Sequence, residues 1–130
     1  MSRRVGVLGG TFDPIHHAHL VAAQEALHAL ALDAVLFGPA GNPPHKPARP
    51  ISPAHHREAM VLLAIAGRAG FNLSRVDVER PGPHFTVDTL TILHRDWGAG
   101  TRFFFIVGSD SLAELTTWRR PEDIIRLADL

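Results

Sequence analysis

The stretch on which the fold turns is Val5-Gly6-Val7-Leu8-Gly9-Gly10-Thr11-Phe12-Asp13-Pro14-Ile15-His16-His17-Ala18-His19. Residues 5–8 form a short apolar run cut by two glycines, which predicts a buried strand ending in a tight turn. From residue 15 to 30 the chain becomes rich in Ala and Leu, with Ile15, His19, Ala22, Ala26 and Ala29 near helical spacing. A helix therefore follows the turn. Such a strand–turn–helix unit points the free N–H groups of a helix start, and the positive end of its dipole, at whatever lies beyond the strand.

Working outward, residues 34–37 predict a second short strand ended by Gly38-Pro39, and the proline-rich segment 40–50 predicts a loop. Ser52 is placed to cap a helix with Pro53 at its first position, running to about residue 66 before Gly67. Residues 71–79 alternate at Leu73, Val76 and Val78 and predict an extended segment, broken by Pro81-Gly82-Pro83. Thr86 or Val87 opens a helix to about Trp97, and Gly98-Ala99-Gly100 ends it. Residues 103–107, the most apolar run, predict a central strand, followed by Gly108-Ser109-Asp110 and a short helix. Pro121 begins a last amphipathic helix carrying Ile124, Ile125 and Leu127. Strands alternating with helices predict one α/β domain over 1–130, a Rossmann-like open parallel sheet with helices on both faces. The last helix should feed a further strand. The domain is thus expected to be incomplete at its C-terminal side, with the last strand and C-terminal helix missing. That would leave the edge of residues 103–107 uncovered, which predicts aggregation or a homo-oligomer.

The composition narrows the function classes. Hydrophobic residues make up 45% of the 130, enough for a core, and the formal net charge is zero. No global field points to a nucleic-acid or membrane partner, so any bound anion must be held locally. Without cysteine, a disulfide framework and a thiolate metal site are excluded. The apolar run behind Ser2-Arg3-Arg4 is too short for a signal peptide, and no later run could span a bilayer, so a cytoplasmic protein is expected.

In open α/β sheets, ligands bind beyond the carboxyl ends of the strands, where the chain direction switches. The two loops at such a place are 9–14 and 108–110, whose glycines let backbone N–H groups approach a phosphate or ribose. His16 and His19, three residues apart, share one helical face and can grip an anion near neutral pH. A zinc site on the same pair remains an alternative, although a third ligand is not evident nearby and the spacing differs from that of the metalloproteases. Of the remaining histidines, His17, His28, His55, His56 and His94 are expected at the surface.

The string Gly-Gly-Thr-Phe-Asp-Pro followed by His16-His17-Ala18-His19 resembles the nucleotidyltransferase signature, Gly-x-Phe-Asp-Pro followed by His-x-Gly-His. With Pro43-Pro44-His45-Lys46, the run from Arg80 to Leu90, the run from Phe105 to Leu112, and Trp118, the chain from Val5 to Leu130 resembles the bacterial nicotinate-nucleotide adenylyltransferases. The resemblance implies transfer of adenylate from ATP to nicotinate mononucleotide, giving deamido-NAD and pyrophosphate. It implies catalytic roles for His16, His19 and Lys46. ATP would be held by Gly9, Gly10, Thr11, Phe12, Gly108 and Asp110, the last on the ribose. The mononucleotide would meet His45, Phe85, Thr86 and Trp118, with His45 also near the triphosphate. Mg²⁺ would bridge phosphate oxygens, held by substrate and water rather than by a protein metal site. Two departures stand out: Ala18 replaces the motif glycine, and a Ser-Ser-Thr-x-x-Arg-like motif of the family is absent. A different transferase of the same signature, such as phosphopantetheine adenylyltransferase or a cytidylyltransferase, and a weakly active nucleotide-binding remnant remain the alternatives.

Overall fold

A computed structural model describes residues 3–41, 51–80 and 85–130 of the chain. The elements run β1 (Arg3–Gly10), α1 (His17–Ala29), β2 (Ala34–Pro39), α2 (Ala54–Ile65), β3 (Phe71–Leu73), α3 (Val76–Glu79), α4 (Thr86–Trp97), β4 (Thr101–Phe105), α5 (Ser109–Ala113), a 3₁₀ turn (Leu115–Thr117), α6 (Pro121–Leu127) and β5 (Ala128–Asp129). Among the described residues the sheet has five strands in the order β3-β2-β1-β4-β5, every pair parallel. The chain steps outward from β1 through β2 to β3, then returns to the other side of β1 as β4. The switch point therefore lies between β1 and β4, where the loops that follow them diverge.

Side chains alternate across the sheet, as a pleated strand requires. Leu8, Val35, Phe37 and Phe104 face one side, where Ala23 of α1 and Val61 and Ile65 of α2 cover them. Val5, Val7, Leu36 and Phe103 face the other, under Val87, Leu90 and Leu93 of α4 and Ile124 of α6. The Rossmann-like, doubly covered sheet expected from the sequence is the one found. Gly6 lies close under the far ends of two side chains. A Cβ there would lie 2.8 Å from Leu32 Cδ1 and 3.2 Å from Ile106 Cδ1. Gly98 ends α4 at φ 87°, a backbone that L side chains disfavour, and its amide closes on the His94 carbonyl.

Several expectations are corrected. The extended segment 71–79 is a strand only to Leu73; residues 76–79 form a helical turn, held by Arg75 on Glu79 (2.9 Å) and by the Asp77–Arg80 pair. The expected central strand begins and ends earlier, at Thr101–Phe105, and β1 occupies the middle of the sheet; β4 lies between β1 and β5. β5 pairs Phe103 with Ala128 and Phe104 with Asp129, so part of the strand expected to be missing is present and part of the edge expected to be bare is covered. In α1 the buried side is Leu20, Ala23, Ala26 and Leu27, and Ala22 and Ala29 are exposed. Helix α2 starts at Ala54 with Pro53 in the cap position, so Ser52 is not its cap. In α6, Ile124 is buried but Ile125 is exposed, as neighbours on a helix must diverge. His94 is not a surface group: Nε2 donates to the Leu127 carbonyl at 2.6 Å and the ring packs edge-on against Phe103. Among the described residues no helix is long and apolar enough to cross a membrane.

Candidate active site

At the carboxyl ends of the strands lies a cleft of about 430 Å³, bounded by the turns after β1, β2 and β4 and by the starts of α3 and α4. Gly9, Gly10, His19, Gly38, Phe85, Thr86, Gly108 and Trp118 line it. At Gly38 and Gly108 an added Cβ would meet no protein atom within 4 Å, so the backbone there is open to close approach.

His19 sits in the first turn of α1 and its state can be read from its contacts. The His16 amide donates to His19 Nδ1 at 3.1 Å, so Nδ1 is an acceptor and the ring proton belongs on Nε2. The His16 and His19 rings lie 3.9 Å apart at 31°. Beneath them Phe12 meets His19 edge-on at 4.9 Å. Burial holds the His19 pKa below its ordinary value, and the neighbouring His16 adds to this. With Nδ1 taken by the His16 amide, the neutral ring presents Nε2–H as its donor, and burial favours that neutral form. His16 is exposed and does not line the cleft, although it stacks on a ring that does.

Phe12 is 2% exposed and sits at φ 51°. The expectation of an ATP contact is narrowed by this: its ring is spent on Phe37 and His19, and only its backbone is left for a ligand. Thr11 is exposed beside the cleft rather than in its lining. So is Asp110, at the second position of α5, where Gly108 holds the cap position. Thr86 opens α4 with Phe85 in its cap position. The opposite wall is aromatic: Trp118 meets Phe105 edge-on at 6.2 Å, and Arg119 lies 4.7 Å over the Phe85 ring. His45 and Lys46 lie outside the described residues, as does His84.

Two groups escaped the sequence reading. Arg57 of α2 is 1% exposed and gives its guanidinium to backbone carbonyls flanking the cleft. Asp77, lining the cleft from α3, accepts from Arg80 and from the Thr89 hydroxyl at 2.7 Å, which joins α3 to α4. Neither carries a motif signal, because both make contacts set by the fold. Among the described residues no three His, Asp or Glu side chains converge on a point that could hold a metal ion.

Comparison with known proteins places this geometry. The chain is 52% identical over 125 residues to a probable nicotinate-nucleotide adenylyltransferase of Thermomicrobium roseum, and 46% identical over 129 residues to one from Acidothermus cellulolyticus. Each match covers 96% of this chain but only 58% and 62% of the respective relative, so the chain spans about three fifths of their length. Among solved structures, the nicotinic acid mononucleotide adenylyltransferase of Plasmodium falciparum in complex with NaAD superposes with a TM-score of 0.74 at 19% identity, covering 95% of this chain and 60% of that one. A putative nicotinate-nucleotide adenylyltransferase from Vibrio parahaemolyticus also gives 0.74, at 17% identity, over 98% of this chain and 74% of that one. These two likenesses speak to the fold. The cytidylyltransferase-like family model matches residues 7–130, nearly the whole length, and the chain belongs to that family.

Proposed function

We propose that the chain carries the nucleotide-binding face of a nicotinate-nucleotide adenylyltransferase, joining ATP and nicotinate mononucleotide into deamido-NAD with release of pyrophosphate. The observation that carries this reading is His19, a neutral imidazole whose Nδ1 is occupied by the His16 amide, leaving Nε2–H as a fixed donor on a glycine-lined cleft at a helix start. The names of relatives at 52% and 46% identity favour the same substrates.

In the reaction a 5′-phosphate oxygen of the mononucleotide attacks the α-phosphorus of ATP. The bond between the α-phosphorus and the bridging oxygen to the β-phosphorus breaks, and its electron pair leaves with pyrophosphate. No protein nucleophile takes part, so the chain contributes position and charge stabilisation. His19 Nε2–H donates to a phosphate oxygen as negative charge shifts toward the leaving group. The His16 ring, stacked on it, and the free N–H groups of the first turn of α1 complete the anion site, and the family resemblance adds Lys46 and His45 to it. Backbone at Gly9, Gly10 and Thr11 follows the phosphates, and Gly108 and Asp110 hold the ribose. On the other wall Phe85, Thr86 and Trp118 take the pyridine end, where an indole face suits a flat cationic ring. Mg²⁺ would enter with the triphosphate, held by phosphate and water, and neutralise charge there.

Pyrophosphate release should be measured with MgATP and each of nicotinate mononucleotide, nicotinamide mononucleotide and phosphopantetheine, with titration calorimetry of the same pairs. Binding of MgATP with turnover or binding on the pyridine mononucleotides is expected. A response to phosphopantetheine alone would overturn the assignment.

A further inference from the structure

Among the described residues Arg57 is the most buried charged side chain, and nothing in the proposed reaction uses it. Its guanidinium donates to four backbone carbonyls. Nη1 donates to the Thr11 carbonyl at 2.9 Å and to the Ala40 carbonyl at 2.6 Å, Nη2 donates to the Gly41 carbonyl at 3.0 Å, and Nε donates to the Ser52 carbonyl at 2.8 Å. These carbonyls belong to three separate stretches: the turn after β1, the turn after β2 and the lead-in to α2. Asp13, one turn residue beyond Phe12, accepts the Ser52 amide at 2.8 Å and sets its charge against that of Arg57. The Ala40 amide donates to the Gly10 carbonyl at 2.8 Å, so the β1–β2 ladder runs directly into this cluster.

We infer that Arg57 is a positioning residue of the anion site, a side chain that sets the turn after β1 against the turn after β2. The route to the ligand is short. Arg57 fixes the Thr11 carbonyl; the next residue, Phe12, takes a left-handed backbone that drives its ring under His19; and the ring props the imidazole at the edge of the cleft. Four carbonyls from three segments need a planar fork of five donors in fixed directions. Lysine carries the same charge, but as a point with three donors, and cannot span them. Phe85, Thr86 and Trp118 of the aromatic wall share no hydrogen bond with Arg57, and the cation over the Phe85 ring is Arg119. The inference rests on the reading of the anion site given above and adds a side selectivity to it: Arg57 matters for the triphosphate and not for the pyridine end.

The test uses the chain with Arg57→Lys and Arg57→Met, calorimetry with MgATP and separately with nicotinate mononucleotide, and amide hydrogen exchange. Both substitutions should weaken MgATP binding by at least ~10-fold while mononucleotide affinity stays within ~2-fold. Exchange at the Ala40 and Ser52 amides, which donate to the Gly10 carbonyl and to Asp13, should accelerate while Val5 and Val7 in β1 stay protected. If Arg57→Met fails to fold, Arg57→Lys alone decides. Equal loss of both ligands would mean a general loss of folded protein and would overturn the inference, as would an unchanged MgATP affinity, full rescue by lysine, or unchanged exchange at those two amides. If the unsubstituted chain takes up no MgATP, the reading of function fails, and the exchange measurement still decides whether Arg57 ties the turns.

Discussion

Phe12 offers a stability test whose sign is unusual. The residue sits at φ 51° with its ring 2% exposed, between Phe37 at 6.2 Å and His19 at 4.9 Å. Removing the ring should cost about 3–5 kcal/mol, as for other buried aromatics cut to alanine. The left-handed backbone adds a second effect. An L side chain pays about 1–2 kcal/mol there, whereas glycine pays none and gives back only about 0.4–1 kcal/mol through the freedom of its unfolded chain. Phe12→Gly should therefore be more stable than Phe12→Ala by about 0.5–1 kcal/mol, the reverse of their order in an ordinary helix or strand. Urea unfolding followed by circular dichroism reads this as a midpoint difference of a few tenths of a molar, given slopes of about 1–3 kcal/mol/M. Phe12→Leu separates the ring from the backbone: it keeps apolar bulk but loses the edge contact on His19. The His19 pKa, followed by NMR, should then rise toward 6.5, because less of the ring is desolvated. Equal or higher stability for Phe12→Ala than for Phe12→Gly would refute the backbone argument, and an unmoved His19 pKa would refute the claim that Phe12 props it.

The pH dependence follows from the same imidazole. His19 has a folded pKa below its ordinary 6.5, so the unfolded chain binds more protons as the pH falls under 6.5. Its contribution is full above that value and shrinks as the pH drops toward the folded pKa. The thermal midpoint should fall between pH 7.5 and 5.5 by more in the native chain than in His19→Asn, which keeps an acceptor for the His16 amide but does not titrate; equal falls would contradict this. Gly6→Ala drives a methyl against Leu32 Cδ1 at 2.8 Å and should cost about 1–3 kcal/mol, seen as a lower melting temperature. An unchanged midpoint would show that Leu32 and Ile106 yield freely. Trp118→Ala should weaken nicotinate mononucleotide binding by about 2- to 30-fold, with Trp118→Phe recovering part of it and MgATP affinity unchanged in both. Loss of MgATP affinity in calorimetry would place Trp118 elsewhere in the reaction.

The alternation of apolar runs with helical segments was enough to reach the doubly covered parallel sheet, because each such run has a turn signal behind it. The errors have physical causes. Val76 and Val78 alternate like a strand, but Arg75 with Glu79 and Asp77 with Arg80 stand at helical spacing, and those ion pairs close a turn. In α1 the alanines present no contrast between faces, so Leu20 and Leu27, not spacing alone, set which side is buried. The apolar content of 103–107 reports burial on both faces, which any internal parallel strand shares; it cannot say which strand is the middle one. His94 looked like one more polar residue on a helix because its partner, the Leu127 carbonyl, is 33 positions away.

The candidate site divides along the same line. Gly9, Gly10, His16, His19 and Gly108 were visible because the groups proposed to meet a ligand lie in short strings, next to the strand that delivers them. The groups that orient them were hidden. Arg57 is 46 residues from Thr11, and nothing in its helix, flanked by His55, His56 and Glu58, marks it as the buried cation that joins two turns. Phe12 was visible as a motif residue, but the burial of its ring under His19 was not. A local string can encode which atoms are presented to a phosphate. The direction in which they point is settled by packing and by backbone carbonyls that no pattern of residue types records. His19 shows the consequence most directly. As sequence it is a histidine with an adjustable charge. With Phe12 beneath it, His16 against it and an amide on Nδ1, the ring is held in one orientation with its neutral form favoured, which is what the proposed transfer, having no protein nucleophile, would require.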